Sequence, residues 1–238
     1  MNMEENIVME DNIILDKDRE AVVGELMRNV YLWMTGGLAV TGCAAWMVVN
    51  SAFLLNLIFG SQIVFWGILI AELVFVIVLS ASINKLSFTA ASCLYVLYCL
   101  LNGVTLSSIF IIYELSSIVE IFFVTAGAFA ILAFVGSVTK KDLSRLGTFL
   151  IIALAGLIIA SIVGLILGRP ESIWMSVIGV VIFAGLTAYD AQKIRLLMLN
   201  QDTVNEGNMK LALLGALSLY LDFINLFLRL LSLLGKKK

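Results

Sequence analysis

The sequence predicts an all-α membrane protein, a bundle of seven transmembrane helices. Three observations carry this reading. Of 238 residues, 61% are hydrophobic and only 13% charged, the mean hydropathy is +1.06, and the apolar residues gather in long continuous runs. Seven such runs stand out, at roughly 30–49, 63–83, 88–111, 118–138, 147–167, 172–194 and 211–234. Each is long enough to cross about 30 Å of hydrocarbon at about 1.5 Å per residue. Strands of a membrane barrel would instead alternate in polarity over about ten residues, which these runs do not.

Residues 1–29 hold eight acids against Lys17, Arg19 and Arg28. This stretch lacks the basic start, apolar middle and small-residue cleavage site of a removable signal, so it is expected to be an acidic cytoplasmic segment preceding a transmembrane domain at 30–238. The first run then serves as the insertion signal. The second carries Glu72 at its middle, between Ile68-Leu69-Ile70-Ala71 and Leu73-Val74-Phe75-Val76. The third holds Cys93 and Cys99 with Asn102 and Thr105; the fourth and fifth contain no such charge at their centres. Pro170, the one proline, lies in the break between the fifth and sixth, so no span relies on a proline kink. The sixth closes in Leu186-Thr187-Ala188-Tyr189-Asp190-Ala191-Gln192-Lys193. The longest loop, about 195–210, carries Asn200, Gln201, Asp202, Asn205 and Asn208, and the seventh run follows it.

Lysine and arginine set the orientation. The N-terminal segment and every second loop hold Lys17, Arg19, Arg28, Lys85, Lys140, Lys141, Arg145, Lys193, Arg195 and Lys210, against Arg169 alone in the intervening loops. The N-terminus is therefore expected in the cytoplasm. Seven crossings then put the basic end, Lys236-Lys237-Lys238, on the far side, in conflict with the same rule. The last run is long enough for a full crossing, and that resolution is preferred to a return to the cytoplasmic face.

Composition also excludes chemistries. Without histidine there is no imidazole base or His-ligated zinc. Cys43, Cys93 and Cys99 lie in apolar runs, where thiols usually serve packing. Pairs such as Gly156 with Gly164 and Gly179 with Gly185 suit close helix packing, because none follows a soluble strand as a nucleotide loop requires. No enzyme activity, cofactor or nucleic-acid partner is expected; the lipid bilayer is.

Charge inside a span costs a few kcal/mol on even the lower scales, which makes Glu72, Asp190, Asp222 and Arg229 candidate functional residues. Glu72 reads either as functional or as a protonated carboxyl bonded to a neighbouring helix. Ser218, Asp222, Asn225 and Arg229 follow one another at steps of 4, 3 and 4, one face of a helix otherwise rich in Leu, Phe, Ile and Tyr. Such a stripe faces protein or water, which places the last helix centrally. A direct Asp222–Arg229 pair is the alternative, stretched by about 10 Å along the axis. Asp190 and Asp222 both belong to the cytoplasmic half and meet if the sixth helix continues toward Met198. Two carboxyls in a poorly hydrated site do not both ionise cheaply and compete for one proton. Sharing it latches two helices; losing it creates repulsion and an oxygen-rich seat for calcium, completed by waters, Asn225, backbone carbonyls or Glu72. An incomplete shell binds weakly, as permeation requires. Cys99, Asn102 and Thr105 more simply hydrogen-bond between helices.

The run Ala216-Leu217-Ser218-Leu219-Tyr220-Leu221-Asp222-Phe223-Ile224-Asn225-Leu226-Phe227-Leu228, with Leu186 to Lys193, resembles the signature of the Bax inhibitor family of multispan proteins. Tyr31-Leu32-Trp33-Met34-Thr35, Leu106-Ser107-Ser108-Ile109-Phe110 and Thr139-Lys140-Lys141-Asp142-Leu143-Ser144 extend the likeness over most of the chain after about residue 25. It is most similar to the bacterial inner-membrane branch. The resemblance implies two three-helix layers around a central C-terminal helix and a pH-sensitive calcium leak governed by an aspartate pair, here Asp190 and Asp222. It also matches Glu72 to an acidic residue of some members. Where some members carry a basic residue that locks the pair, this chain has Ile83, leaving Lys85 or Arg229 as substitutes.

The expected function is thus an inner-membrane calcium leak gated by protons, calcium being the permeant ion. An interaction protein that modulates membrane proteases or cell-death machinery without moving ions is the alternative. An intramembrane aspartyl protease fits poorly, because Asp222 follows Leu219-Tyr220-Leu221 rather than Gly-x-Gly and no proline follows Pro170.

Overall fold

The computed structural model describes residues 3–168 and 172–238, and side chains from Arg19 onward except Leu165. Arg169 and Pro170 lie outside the described residues. All regular elements described are helices: α1 (Met3–Val49), α2 (Ala52–Phe59), α3 (Gln62–Ser82), α4 (Phe88–Leu106), α5 (Ile109–Ile112), α6 (Leu115–Val138), α7 (Ser144–Ile166), α8 (Ile173–Leu199) and α9 (Glu206–Leu234). Helix is the expected outcome for chain in lipid, where every backbone polar group must be satisfied within its own segment. Seven stretches are long and apolar enough to cross: Arg19–Val49, Gln62–Ser82, Phe88–Ile112, Leu115–Val138, Ser144–Gly164, Ile173–Leu199 and Glu206–Leu234.

Local chemistry sets the helix ends. Ser87 Oγ accepts the Ala90 N–H at 3.2 Å and Asn205 Oδ1 accepts the Asn208 N–H at 2.9 Å, so α4 and α9 each begin on a side-chain cap. Between α4 and α5 the hydroxyls of Ser107 and Ser108 donate to the carbonyls of Val104 and Thr105, turning the chain before it resumes. The first helix is continuous across residues 29 and 30, and Leu26 and Val30 are both fully buried. Its apolar stripe thus starts well inside the acidic segment.

Buried share separates centre from periphery. In the most apolar window of α9, 67% of residues are enclosed, against 6% in α3 and 17% in α7. α9 packs on α8, α1, α6 and α4, while α3 packs on α4 and α7 on α8. The last helix is central, as its polar stripe requires. Close approach needs glycine at two crossings: a side chain at Gly136 of α6 meets the Ala188 carbonyl of α8, and one at Gly103 of α4 meets the Thr41 carbonyl of α1.

Successive spans run in opposite directions, giving the bundle two distinct ends. At one, Arg19 pairs with Asp202 at 3.6 Å, Glu206 accepts the Phe88 N–H, and Gln192 ties down the 139–143 loop. At the other, the Glu114 N–H donates to the Lys236 carbonyl at 3.0 Å and Lys238 Nζ donates to the Phe110 carbonyl at 2.7 Å. The last helix therefore runs the full depth of the bundle. The terminal lysine meets a carbonyl in α5, a local role for basic charge at that end.

Candidate functional site

α8 and α9 meet in a register fixed by small residues. A side chain at Gly215 would lie 3.0 Å from the Ile194 methyl, so Gly215 faces Ile194. One helical turn along in antiparallel sense brings Asp190 opposite Ser218, with Asp222 a further turn away. The continuation of α8 to Leu199, beyond the expected end at 194, gives Asp190 this depth. The two carboxyls are close enough to interact electrostatically. Ser218 and Lys193 are the other polar groups acting on Asp190.

The two acids have different surroundings. Asp190 is half-buried and lines a cavity of about 270 Å³ together with Ser80, Lys193 and Ser218. Asp222 lies off this lining, only 6% exposed, and its Oδ2 is buried without a hydrogen-bond partner. A buried polar oxygen left unpaired is costly, and such atoms in native structures call for an explanation.

Glu72 belongs to a second cluster. It accepts hydrogen bonds from the Thr105 hydroxyl and, at 3.4 Å, from the Asn102 amide. Asn102 Oδ1 in turn accepts the Tyr220 hydroxyl at 3.0 Å, whose oxygen also lies 2.7 Å from the Thr41 hydroxyl. Thr41 also lies within hydrogen-bonding distance of the Cys99 carbonyl, at 3.0 Å. Tyr220 and Asp222 are two residues apart and so point roughly 200° apart around α9. The helix divides the two clusters, and Glu72 bonds across to α4 rather than completing a shell around the aspartates.

The remaining candidates are placed as follows. Asn225 donates to the Leu221 carbonyl of its own helix at 2.8 Å. Arg229 packs on α8 at Gly179, where an added side chain would lie 2.7 Å from its Cδ. Lys85 is exposed in the 83–87 turn, and Ile83 is buried in the core. The cation acting on Asp190 is Lys193, three residues on along the same helix face. That spacing was its signal in the sequence; Tyr220, Thr41 and Ser80 carried none, since isolated hydroxyls in apolar runs do not declare their partners. Among the described residues no three acidic or thiol side chains gather as a metal cluster.

The profile described as "Inhibitor of apoptosis-promoting Bax1" matches residues 23–238. The chain belongs to the Bax inhibitor family. Within it, the chain is similar to the inner membrane protein YbhL of Escherichia coli K12, 47% identical over 214 residues, covering 89% of this chain and 92% of YbhL. An uncharacterized protein of Borreliella burgdorferi is 38% identical over 226 residues, covering 94% and 97%. An uncharacterized membrane protein of Streptococcus pyogenes serotype M3 is 32% identical over 232 residues, covering 96% and 99%. The family match begins at Val23, where the α1 stripe enters the core.

Proposed function

We propose that this member of the Bax inhibitor family is a pH-sensitive calcium leak of the inner membrane, with its N-terminus in the cytoplasm and Asp190 and Asp222 as its gate. The observation that carries the reading is the unpaired, buried Oδ2 of Asp222 beside a second carboxyl on the adjacent helix. One proton shared across α8 and α9 favours their contact; its loss leaves two negative charges in a dry site. Lys193 at the cavity wall moderates the charge on Asp190, and Ser218 supplies a hydroxyl. With two carboxylates and hydroxyls the seat holds calcium only weakly, which suits passage. The printed name of YbhL supports the inner-membrane reading, and the lysine and arginine bias supports the orientation.

Calcium flux into proteoliposomes between about pH 6 and 8 tests the reading. The intact protein is expected to show pH-dependent flux, and Asp190→Asn and Asp222→Asn to lose that dependence. Unchanged flux in both variants overturns it. A protein without flux that captures a stoichiometric membrane partner fits the non-conducting alternative.

A further inference from the structure

A long groove opens on the flank of the bundle between α1 and α6, independent of the aspartate pair. Its cavity measures about 900 Å³. Gly24 and Met27 form part of one wall, Ala130 and Phe134 part of the other, and Phe223 of α9 the floor. The α1 wall runs from Glu20 to Leu38, about 27 Å at 1.5 Å per residue, close to the hydrocarbon thickness. It is open at Gly24, where an added side chain would meet nothing within 4 Å.

One end of the groove is charged. Arg195 and Val138 line both the groove and an adjoining cavity of about 540 Å³ that also touches Lys140 and Asp142. Arg195 Nη1 donates to the Ser137 carbonyl at 2.8 Å, which holds the guanidinium at this junction with further N–H groups to offer. Glu20 stands at the same mouth. Arg195 and Glu20 at the groove's end, with Lys140 and Asp142 in the cavity that adjoins it, thus place two cations and two carboxylates at the head of an apolar channel.

We propose that this groove binds one phospholipid whose headgroup carries a phosphate and a primary ammonium, its acyl chain lying along α1 and α6. Arg195 and Lys140 take the phosphate; basic pockets beside membrane helices hold lipid phosphates in this way. Glu20 and Asp142 accept from the ammonium, which a quaternary ammonium cannot supply and a purely anionic headgroup lacks. The matched signs at the mouth select this lipid class over an anionic one, which would bring its charge against two carboxylates.

Native mass spectrometry of the delipidated full chain tests it, using dioleoyl phosphatidylethanolamine, phosphatidylglycerol and phosphatidylcholine. Phosphatidylethanolamine is expected to bind tightest. Arg195→Gln is expected to weaken it roughly fivefold, and Glu20→Gln to narrow its preference over phosphatidylcholine. Gly24→Leu, which fills the groove and favours helix, is expected to abolish the bound lipid without lowering the melting temperature. Ala130→Trp fills it from the opposite wall and checks the same point should Gly24→Leu misfold. Equal binding of the three lipids overturns the headgroup assignment, as does tighter binding of phosphatidylglycerol. Undiminished binding in a folded groove-filled variant overturns the site.

Discussion

Two faces of the same helix treat buried polar groups in opposite ways. On the Tyr220 face, Tyr220 and Thr41 lie at hydrogen-bonding distance, and Asn102, Thr105 and Glu72 continue the network across α1, α4 and α3. On the Asp222 face, a carboxyl oxygen is left without a partner beside a second acid. The first arrangement is what stability selects in lipid, because interhelical hydrogen bonds there specify a unique packing. The second costs stability and so marks the place where function is to be sought. Both lie within three residues of sequence, 220 to 222, and the roughly 200° between them is what allows one helix to anchor on one side and switch on the other.

Breaking the satisfied face has the largest expected effect on stability. Tyr220→Phe removes the hydroxyl between Asn102 and Thr41, which takes the donor from Asn102 Oδ1 and leaves Thr41 the Cys99 carbonyl alone. At about 0.6–1.7 kcal/mol per interhelical bond, the loss is about 1–3 kcal/mol in unfolding from detergent micelles. A variant as stable as the parent would show that the network is not a structural anchor. The reverse is expected across the helix. Asp222→Asn keeps the volume and removes one of the two acids that compete for a single proton in the dry α8–α9 contact, so unfolding stability at neutral pH should stay level or rise by about 1 kcal/mol. A loss comparable to that of Tyr220→Phe would mean that Asp222 is as well satisfied as Tyr220, and the contrast between the faces would fail.

The sequence made the frame legible for a physical reason. Lipid demands continuous apolar runs, and seven of them are hard to mistake; the polar stripe Ser218, Asp222, Asn225, Arg229 likewise required a central helix, and α9 is the most enclosed. What it obscured were features set by tertiary contact. The acidic start concealed that Val23, Leu26 and Val30 already form a buried stripe, because charges on the other face dominated the composition. The short apolar α2 falls outside the seven runs, because eight helical residues are too few to cross the hydrocarbon. The partition of polar residues was hidden too. By sequence Glu72 stands equally available to the aspartate site, whereas its bonds to α4 assign it to the other face of α9.

A third carboxylate gives the smallest effect and calibrates the other two. Asp142 is fully exposed at the 139–143 loop, where its Oδ1 accepts the Ser144 N–H at 2.8 Å at the start of α7. The hydrogen bonds from Ser144 hold its carboxyl below the ordinary value of 3.8, with Arg145 adding in the same direction. A depressed value in the folded chain means that the ionised form is the one folding favours. Its contribution is therefore fully present above the unfolded value and fades as pH falls through the lower folded one. Asp142→Asn should lower the melting temperature slightly at pH 7, and the gap between variant and parent should narrow as pH falls below the ordinary carboxylate value. Thermal scans of both proteins across that range check the sign. A gap that widens in acid would mean that Asp142 stabilises the fold in its neutral form, leaving the exposed carboxylate no better matched to its charge than the buried one.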